Sequence, residues 1–471
     1  MKRTSPPKLA RESARRAISL LVLMAVAVAL LAPASAGAAS SGPIPRPPAV
    51  AGATLVKVPT TPVGKQLSWL LGVASRLPLS TTEIKAHFDA AFRAQVSPSV
   101  LNEALESLGP PGSSVSLLEL SNVEERSLVA LLQIGASRYS TDLSVDSAGL
   151  IDGLLFKPAA TSVPQSWSQV EKQVSSVAPE VSFLAAKVTG NGTCSPVQTI
   201  SAGTPRPLGS MFKLFVLGAL AGAIREHHIS WEQKLTVTAA VKVGGSGTLQ
   251  DAADGTTLSV EQAAVKMISI SDNTAADMLL GLVTRSAVED QVRAWSSHPS
   301  LDIPFLSVKE LFALKYYDFP FMANHYLSLN PAQRAEYLVS TVDKVPTSAE
   351  VQAGTPRDIN SIEWFASADD LCRALVGLAA LEAEPGLSPL NQVLSTNNGG
   401  IGLSSKTWPR IWFKGGSEPG VLTLGYLARD VAGQSFVVII LSEDTSKPVQ
   451  ESAAVEIKAL DAINGAFGLL H

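Results

Sequence analysis

Apolar positions recur at helical intervals through residues 62–109 and then switch to short strand-like runs. In the helical stretch, "STTEIKAHFDAAFRAQV" opens with Ser80 and Glu83 at capping-box spacing, which predicts one helix over 80–96. "SPSVLNEALESLG" has Ser97 as N-cap, Pro98 at the first helical position and Gly109 as its stop. From residue 113 the runs "SVSLLEL", "SLVALLQIG", "STDLSVD" and "GLIDGLLFKP" read as strands. Helices followed by a curved antiparallel sheet predict a small α+β cone over 61–157. "KPAATSVPQSW", with Pro158 and Pro164, then predicts a linker over 158–168.

The remainder, 169–471, forms a larger unit. "VSFLAAKV" (181–188) is a strand, a helix-rich middle runs through residue 385, and strands return in "IWFKGG", "LTLGYLARD" and "SFVVIILSED". An amphipathic helix, "VQESAAVEIKALDAINGAFGLL", follows them. Strands at both ends with helices between predict a sheet assembled from the two termini of the unit, with a helical subdomain beside it.

The first 39 residues change the compartment. Six basic side chains, from Lys2 to Arg16, precede the uncharged apolar stretch Ala17–Leu31, and A-x-A sites follow at Ala34–Ala36 and Ala36–Ala38. This is the pattern of an export signal, with "SSGPIPRPPAVAG" as a stiff proline-rich linker over 40–60. The apolar core is short for a membrane span, so a secreted or cell-envelope protein without membrane attachment after signal removal is expected. Arg15-Arg16 leaves a twin-arginine route open.

Removing 1–39 takes six of 37 basic and one of 41 acidic groups, leaving 31 against 40 and a net charge of −9. That balance argues against nucleic acid and anionic membrane surfaces as partners. Cys194 and Cys372 are the two cysteines and could pair after export, although nothing in the sequence sets their distance. Neither they nor the six scattered histidines show metal-ligand spacing, so neither metal nor cofactor is expected.

The candidate chemistry lies in "PRPLGSMFKLFVLGAL", where Ser210 and Lys213 stand one helical turn apart. Ser-x-x-Lys alone is a weak signal, since "SPPK" at Ser5–Lys8 matches it too. Two companions strengthen it: Ser271-Asp272-Asn273 in "ISISDNTAADMLL", and Lys414-Gly415-Gly416 at the end of an apolar strand in "IWFKGGSEPG". A serine hydroxyl needs an adjacent base to act as a nucleophile. Lysine at i+3 shares its helix face, and burial beside Lys414 would favour the neutral amine a base requires.

The three motifs in this order resemble those of the penicillin-recognising serine hydrolases, most closely the class A β-lactamases. The resemblance implies a β-lactamase/transpeptidase-like fold over 169–471 and an acyl-enzyme on Ser210 made with Lys213. It also implies an oxyanion hole from the N–H groups of Ser210 and Ser417. Ser271 would relay a proton to the leaving group, Asn273 would contact a substrate amide, Lys414 would attract a substrate carboxylate and tune Ser271, and Gly416 and Ser417 would also bind substrate. Asp272 reads equally as a functional residue of the motif and as a plain loop or cap residue.

The pattern also departs from that family. Arg357-Asp358 falls where the family closes its catalytic loop, yet the register of the deacylating glutamate lands on Val345-Pro346. Glu350 is the nearest glutamate and stands as the candidate deacylation base. Lys414-Gly-Gly lacks the usual threonine hydroxyl, which Ser417 could supply. The insertion "SVKELFALKYYDFPFMANHYLSLNPAQRAEYL" could wall the site, with Tyr316, Tyr317, Phe319 and Phe321 read as core.

"SGTLQ" (246–250) and "VKELFALK" (308–315) extend the resemblance to the two-domain serine hydrolases of clavulanic acid gene clusters and their actinobacterial relatives. These carry a nuclear-transport-factor-like cone before the hydrolase domain, lack the glutamate, and are associated with weak ester hydrolysis. The expected substrate is a small β-lactam or ester. Alternatives are a D-Ala-D-Ala carboxypeptidase acting on peptidoglycan-derived peptides, or a ligand-binding protein with an inert Ser210.

Overall fold

The computed structural model describes residues 56–135, 137–159, 163–346, 354–448 and 453–471. The export signal, most of the first linker and Glu350 lie outside them. The chain divides into two compact units, the first ending at Ala159 and the second running from Ala160.

In the first unit, helices α1 (Pro62–Leu70), α2 (Thr81–His87), α3 (Ala90–Gln95) and α4 (Pro98–Leu108) precede strands β1 (Val115–Ser121), β2 (Ser127–Ile134), β3 (Ser137–Val145) and β4 (Ile151–Ala159). The strands form an antiparallel meander in the order β1-β2-β3-β4. Ser97 and Gly109 bound α4 as the sequence indicates. The helix expected over 80–96 is two helices instead. Phe88 leaves helical geometry to bridge Ile151 on β4, and the Asp89 carboxylate accepts from Phe92 N–H to start α3. A tertiary contact overrides local periodicity here. β2 alternates inward residues, placing Leu128, Ala130, Leu132 and Ile134 against Leu67, Leu70 and Leu101 in one core.

In the second unit, α5 (Trp167–Val174) leads into β5 (Glu180–Val188), β6 (Cys194–Ile200), the two-residue β7 (Arg206–Pro207) and α6 (Lys213–Arg225). The helical subdomain then holds β8 (Lys234–Thr236), β9 (Thr257–Ser259), α7 (Val260–Ser269), α8 (Asn273–Val283) and α9 (Arg285–Trp295). The insertion forms α10 (Val308–Tyr316), α11 (Phe321–Ser328) and α12 (Pro331–Ser340). β10 (Phe365–Ala366), α13 (Ala368–Glu382), α14 (Pro389–Ser395), β11 (Arg410–Glu418), β12 (Val421–Arg429), β13 (Ser435–Glu443) and α15 (Ala453–Leu470) complete it.

The central sheet is antiparallel in the order β11-β12-β13-β5-β6, so strands from both ends of the unit meet at the β13–β5 pair. Both faces are covered. One core cluster packs Leu184, Ile439 and Leu441 against α6, α8 and α13, and the other packs Phe183, Val438 and Ile440 against α5 and α15. This is why β12 and β13 read as nearly continuous apolar runs instead of alternating.

Cys194 on β6 and Cys372 on α13 form a disulfide across 178 residues of chain, with Cα atoms 6.4 Å apart. A cross-link closing so long a loop restricts the unfolded chain strongly, and its removal costs about 2–5 kcal/mol. Cys194→Ser/Cys372→Ala should therefore unfold several degrees below the parent in a thermal melt. An unchanged midpoint would mean that the sheet and α13 hold together without the bond.

Candidate active site

Ser210 lies in a single 3-10 turn, Gly209–Phe212, that feeds directly into α6. The turn is fixed from two sides. Leu208 N–H donates to the Trp364 carbonyl, and Phe212 stacks on the Trp364 indole with ring centres 3.7 Å apart. On the other side the backbone approaches β11 so closely that side chains are excluded. A Cβ on Gly416 would stand 2.1 Å from the Leu208 carbonyl oxygen and 2.7 Å from Ser210 N. Gly209 has a left-handed φ of +49°, and a Cβ there would meet Ser417 N at 2.8 Å. The backbone nitrogens of Ser210 and Ser417 thus lie at the close contact between the 3-10 turn and β11.

Lys213 starts α6 and is fully buried. Its Nζ lies 3.1 Å from Ser210 Oγ, 3.1 Å from Ser271 Oγ, 2.5 Å from the Ser271 carbonyl oxygen and 2.8 Å from Asn273 Oδ1. Burial brings its pKa down to about 7, against the opposing pull of Asp272 and Asp277. A neutral amine has two N–H donors and one lone pair. With the N–H groups on the Ser271 carbonyl and Asn273, the lone pair is left for the Ser210 hydroxyl proton. Burial, not Lys414, is what lowers Lys213. Lys414 is itself held well below the usual lysine range, first by burial and then by Lys213.

Ser271 sits between α7 and α8 with a φ of 57°, left-handed and uncommon for serine. That conformation turns both its carbonyl and its hydroxyl onto Lys213. Lys414, 2% exposed on β11, donates to Ser271 Oγ at 3.1 Å and to the Gly415 carbonyl at 2.5 Å. Ser210, Lys213, Ser271 and Lys414 therefore form one connected polar chain.

Asp272 caps α8. One carboxylate oxygen accepts from Ala275 N–H and the other from the N–H groups of Thr248 and Leu249, which ties "SGTLQ" to the motif. Asn273 gives Oδ1 to Lys213 and one amide N–H to the Gly244 carbonyl, so its first task is to hold Lys213. Ser417 is exposed at the mouth of the site and Gly416 is buried behind it.

Arg357 donates to the Lys315 carbonyl and lies over the rings of Tyr316 and Phe319, while Asp358 turns the chain with a φ of 47°. Tyr317 and Phe321 are 43% and 72% exposed, so only Tyr316 and Phe319 of the four aromatics are packed. Gly209, Trp364 and Thr423, whose hydroxyl donates to the Leu208 carbonyl, escaped sequence reasoning. Only Gly209, next to the serine, left a local signal.

Among the described residues no helix is long and apolar enough to cross a membrane, and no group of three or more His, Cys, Asp or Glu could hold a metal ion. Residues 168–311 match the family described as "Beta-lactamase enzyme family", and residues 58–151 match "ORF 12 gene product N-terminal". No curated protein matches the chain. Among solved structures, a β-lactamase from Sphaerobacter thermophilus is 19% identical, with 64% of this chain and 98% of that one covered and a TM-score of 0.45. A β-lactamase from Chitinophaga pinensis is 14% identical, with 64% and 98% covered and a TM-score of 0.43. The structure titled "PBP-A" is 14% identical, with 66% and 100% covered and a TM-score of 0.41.

Proposed function

We propose that the larger unit, a β-lactamase-like serine hydrolase domain, opens β-lactam or ester bonds through an acyl-enzyme on Ser210, and that this enzyme works outside the cytoplasm. The observation that carries the reading is the shared contact of Lys213 Nζ with the hydroxyls of Ser210 and Ser271, both at 3.1 Å. Neutral Lys213 takes the Ser210 proton as Oγ attacks the substrate carbonyl. The developing oxyanion lies against the N–H groups of Ser210 and Ser417. Lys213 then returns the proton through Ser271 Oγ to the leaving nitrogen or oxygen. Lys414 keeps Ser271 oriented for that transfer. A Cys194–Cys372 disulfide suits an oxidising compartment and supports export.

Deacylation needs a second base to activate water. Among the described residues no carboxylate hydrogen-bonds Ser210 Oγ or Lys213 Nζ. We therefore expect a slow second half-reaction. Intact-mass spectrometry of the chain mixed with a penicillin, and separately with an acetoxy-cephalosporin, should show a long-lived adduct that Ser210→Ala lacks. Rapid turnover with no accumulating adduct would overturn slow deacylation. Neither adduct nor product from either compound would overturn the hydrolase reading for both bond types.

A further inference from the structure

Beyond Ser417 the strand β11 ends in a buried charged cluster that the mechanism above does not use. Lys315, on the inserted helix α10, is fully buried, and its Nζ donates to Glu418 Oε1 at 2.6 Å and lies 4.0 Å from Glu363 Oε1. Glu363 is 4% exposed, and its other oxygen accepts the N–H of Trp364 at 2.7 Å. The three residues come from three segments, and each segment bears on the site. Glu418 adjoins Ser417, whose N–H serves as an oxyanion donor in the reading above. Glu363 adjoins Trp364, whose carbonyl and indole hold Leu208 and Phe212 on either side of Ser210. At its other end α10 is gripped by Asp277, whose carboxylate accepts the N–H groups of Val308 and Lys309 one turn beyond Asn273 on α8.

We propose that Lys315, Glu363 and Glu418 are positioning residues, a buried clamp through which the inserted helix α10 sets the spacing of the Ser210 and Ser417 N–H groups. The proposal rests on the acyl-enzyme reading above. Its charge balance is specific. Burial, then the neighbouring Glu418 charge, holds Glu363 well above the usual carboxyl range, against the pull of Lys315. Burial therefore favours the uncharged form of Glu363, which lessens its repulsion of Glu418. Tyr316 and Arg357 are the further groups facing it, and burial and the two glutamates raise the Tyr316 phenol against the opposing effect of Arg357. Ionised, Glu363 would set a second carboxylate against Glu418 and move Ser417.

Two variants test this, with thermal midpoints measured beside them. Lys315→Met should acylate Ser210 about 10- to 100-fold more slowly with unchanged substrate Kd, because a displaced donor costs rate and not binding. Glu363→Gln is isosteric with the neutral acid. It keeps the acid's shape and cannot ionise, so it should retain the acylation rate that Lys315→Met loses. A folded Lys315→Met within twofold of the parent, or a Glu363→Gln as slow as a folded Lys315→Met, overturns the clamp. If the parent forms no adduct, the hydrolase reading fails, and the clamp is judged on the Ser417 amide resonance in serine-labelled protein. That resonance should lie closer to its parent position in Glu363→Gln than in Lys315→Met, and equal displacement in both overturns the proposal.

Discussion

Lys213→Ala should acylate about 10²–10⁴ times more slowly than the parent chain, the range a positioned general base contributes. Its pH dependence should vanish with the rate. Lys213 is brought down to about 7 by burial, so the base form grows as pH rises through that value. Below it the amine holds a proton, its lone pair is occupied, and parent acylation falls by about tenfold per pH unit. The variant has no such limb to lose, so its slow rate should be flat through the same range. Single-turnover mixing with a chromogenic cephalosporin reads both features.

A variant that keeps the acid limb would assign the base to another group and reduce Lys213 to a structural partner of Asn273. The thermal midpoint of the variant is measured beside its rate. Removing the amine leaves the Ser271 carbonyl and Asn273 Oδ1 without that donor, a loss of about 1–3 kcal/mol each. A modest drop in melting temperature is expected, with the variant folded at assay temperature.

The parts of this site that were legible in the sequence are those encoded within a few residues. Ser210 with Lys213 is one helical turn, and Asp272 as N-cap of α8 is a local hydrogen bond. The strands of the central sheet announced themselves because burial on both faces leaves long apolar runs such as "SFVVIILSED". What stayed hidden depends on segments far apart in the chain. The Glu418–Lys315 pair is separated by 103 residues and the Cys194–Cys372 bond by 178. No periodicity reports such contacts. The break at Phe88 is of the same kind, because a helical pattern of apolar positions persists across it while Ile151 on β4 takes the backbone away. The insertion misled for another reason: its aromatics have core-like composition, yet Phe321 is 72% exposed. Composition alone does not say which side of a helix faces water.

Gly416→Ala should be nearly as damaging as the loss of Lys213, by a different route. The added carbon would meet the Leu208 carbonyl at 2.1 Å, Ser210 N at 2.7 Å and Thr423 Oγ1 at 2.7 Å. Two of these are backbone atoms, so no flexible side-chain tip can yield. β11 is held along its length by pairing with β12, including Gly416 opposite Thr423. Relief therefore comes from the 3-10 turn, which must move off the strand and carry the Ser210 N–H away from that of Ser417. Losing one oxyanion donor costs about 10²–10³ in rate.

Gly415→Ala is the control. Its new carbon meets chiefly the tip of the Phe413 ring at 2.9 Å and the Thr423 carbonyl at 3.3 Å, which small side-chain and strand adjustments can relieve. It should stay within about tenfold of the parent, the cost of minor adjustment and not of a lost donor. The pH profile then separates the two failures. Lys213 keeps its contacts in Gly416→Ala, so the acid limb near 7 should persist beneath a plateau lowered by one factor at every pH. A limb that disappears together with the rate would mean that moving the turn also breaks the Ser210–Lys213 contact, and that base and oxyanion hole depend on the same few backbone atoms.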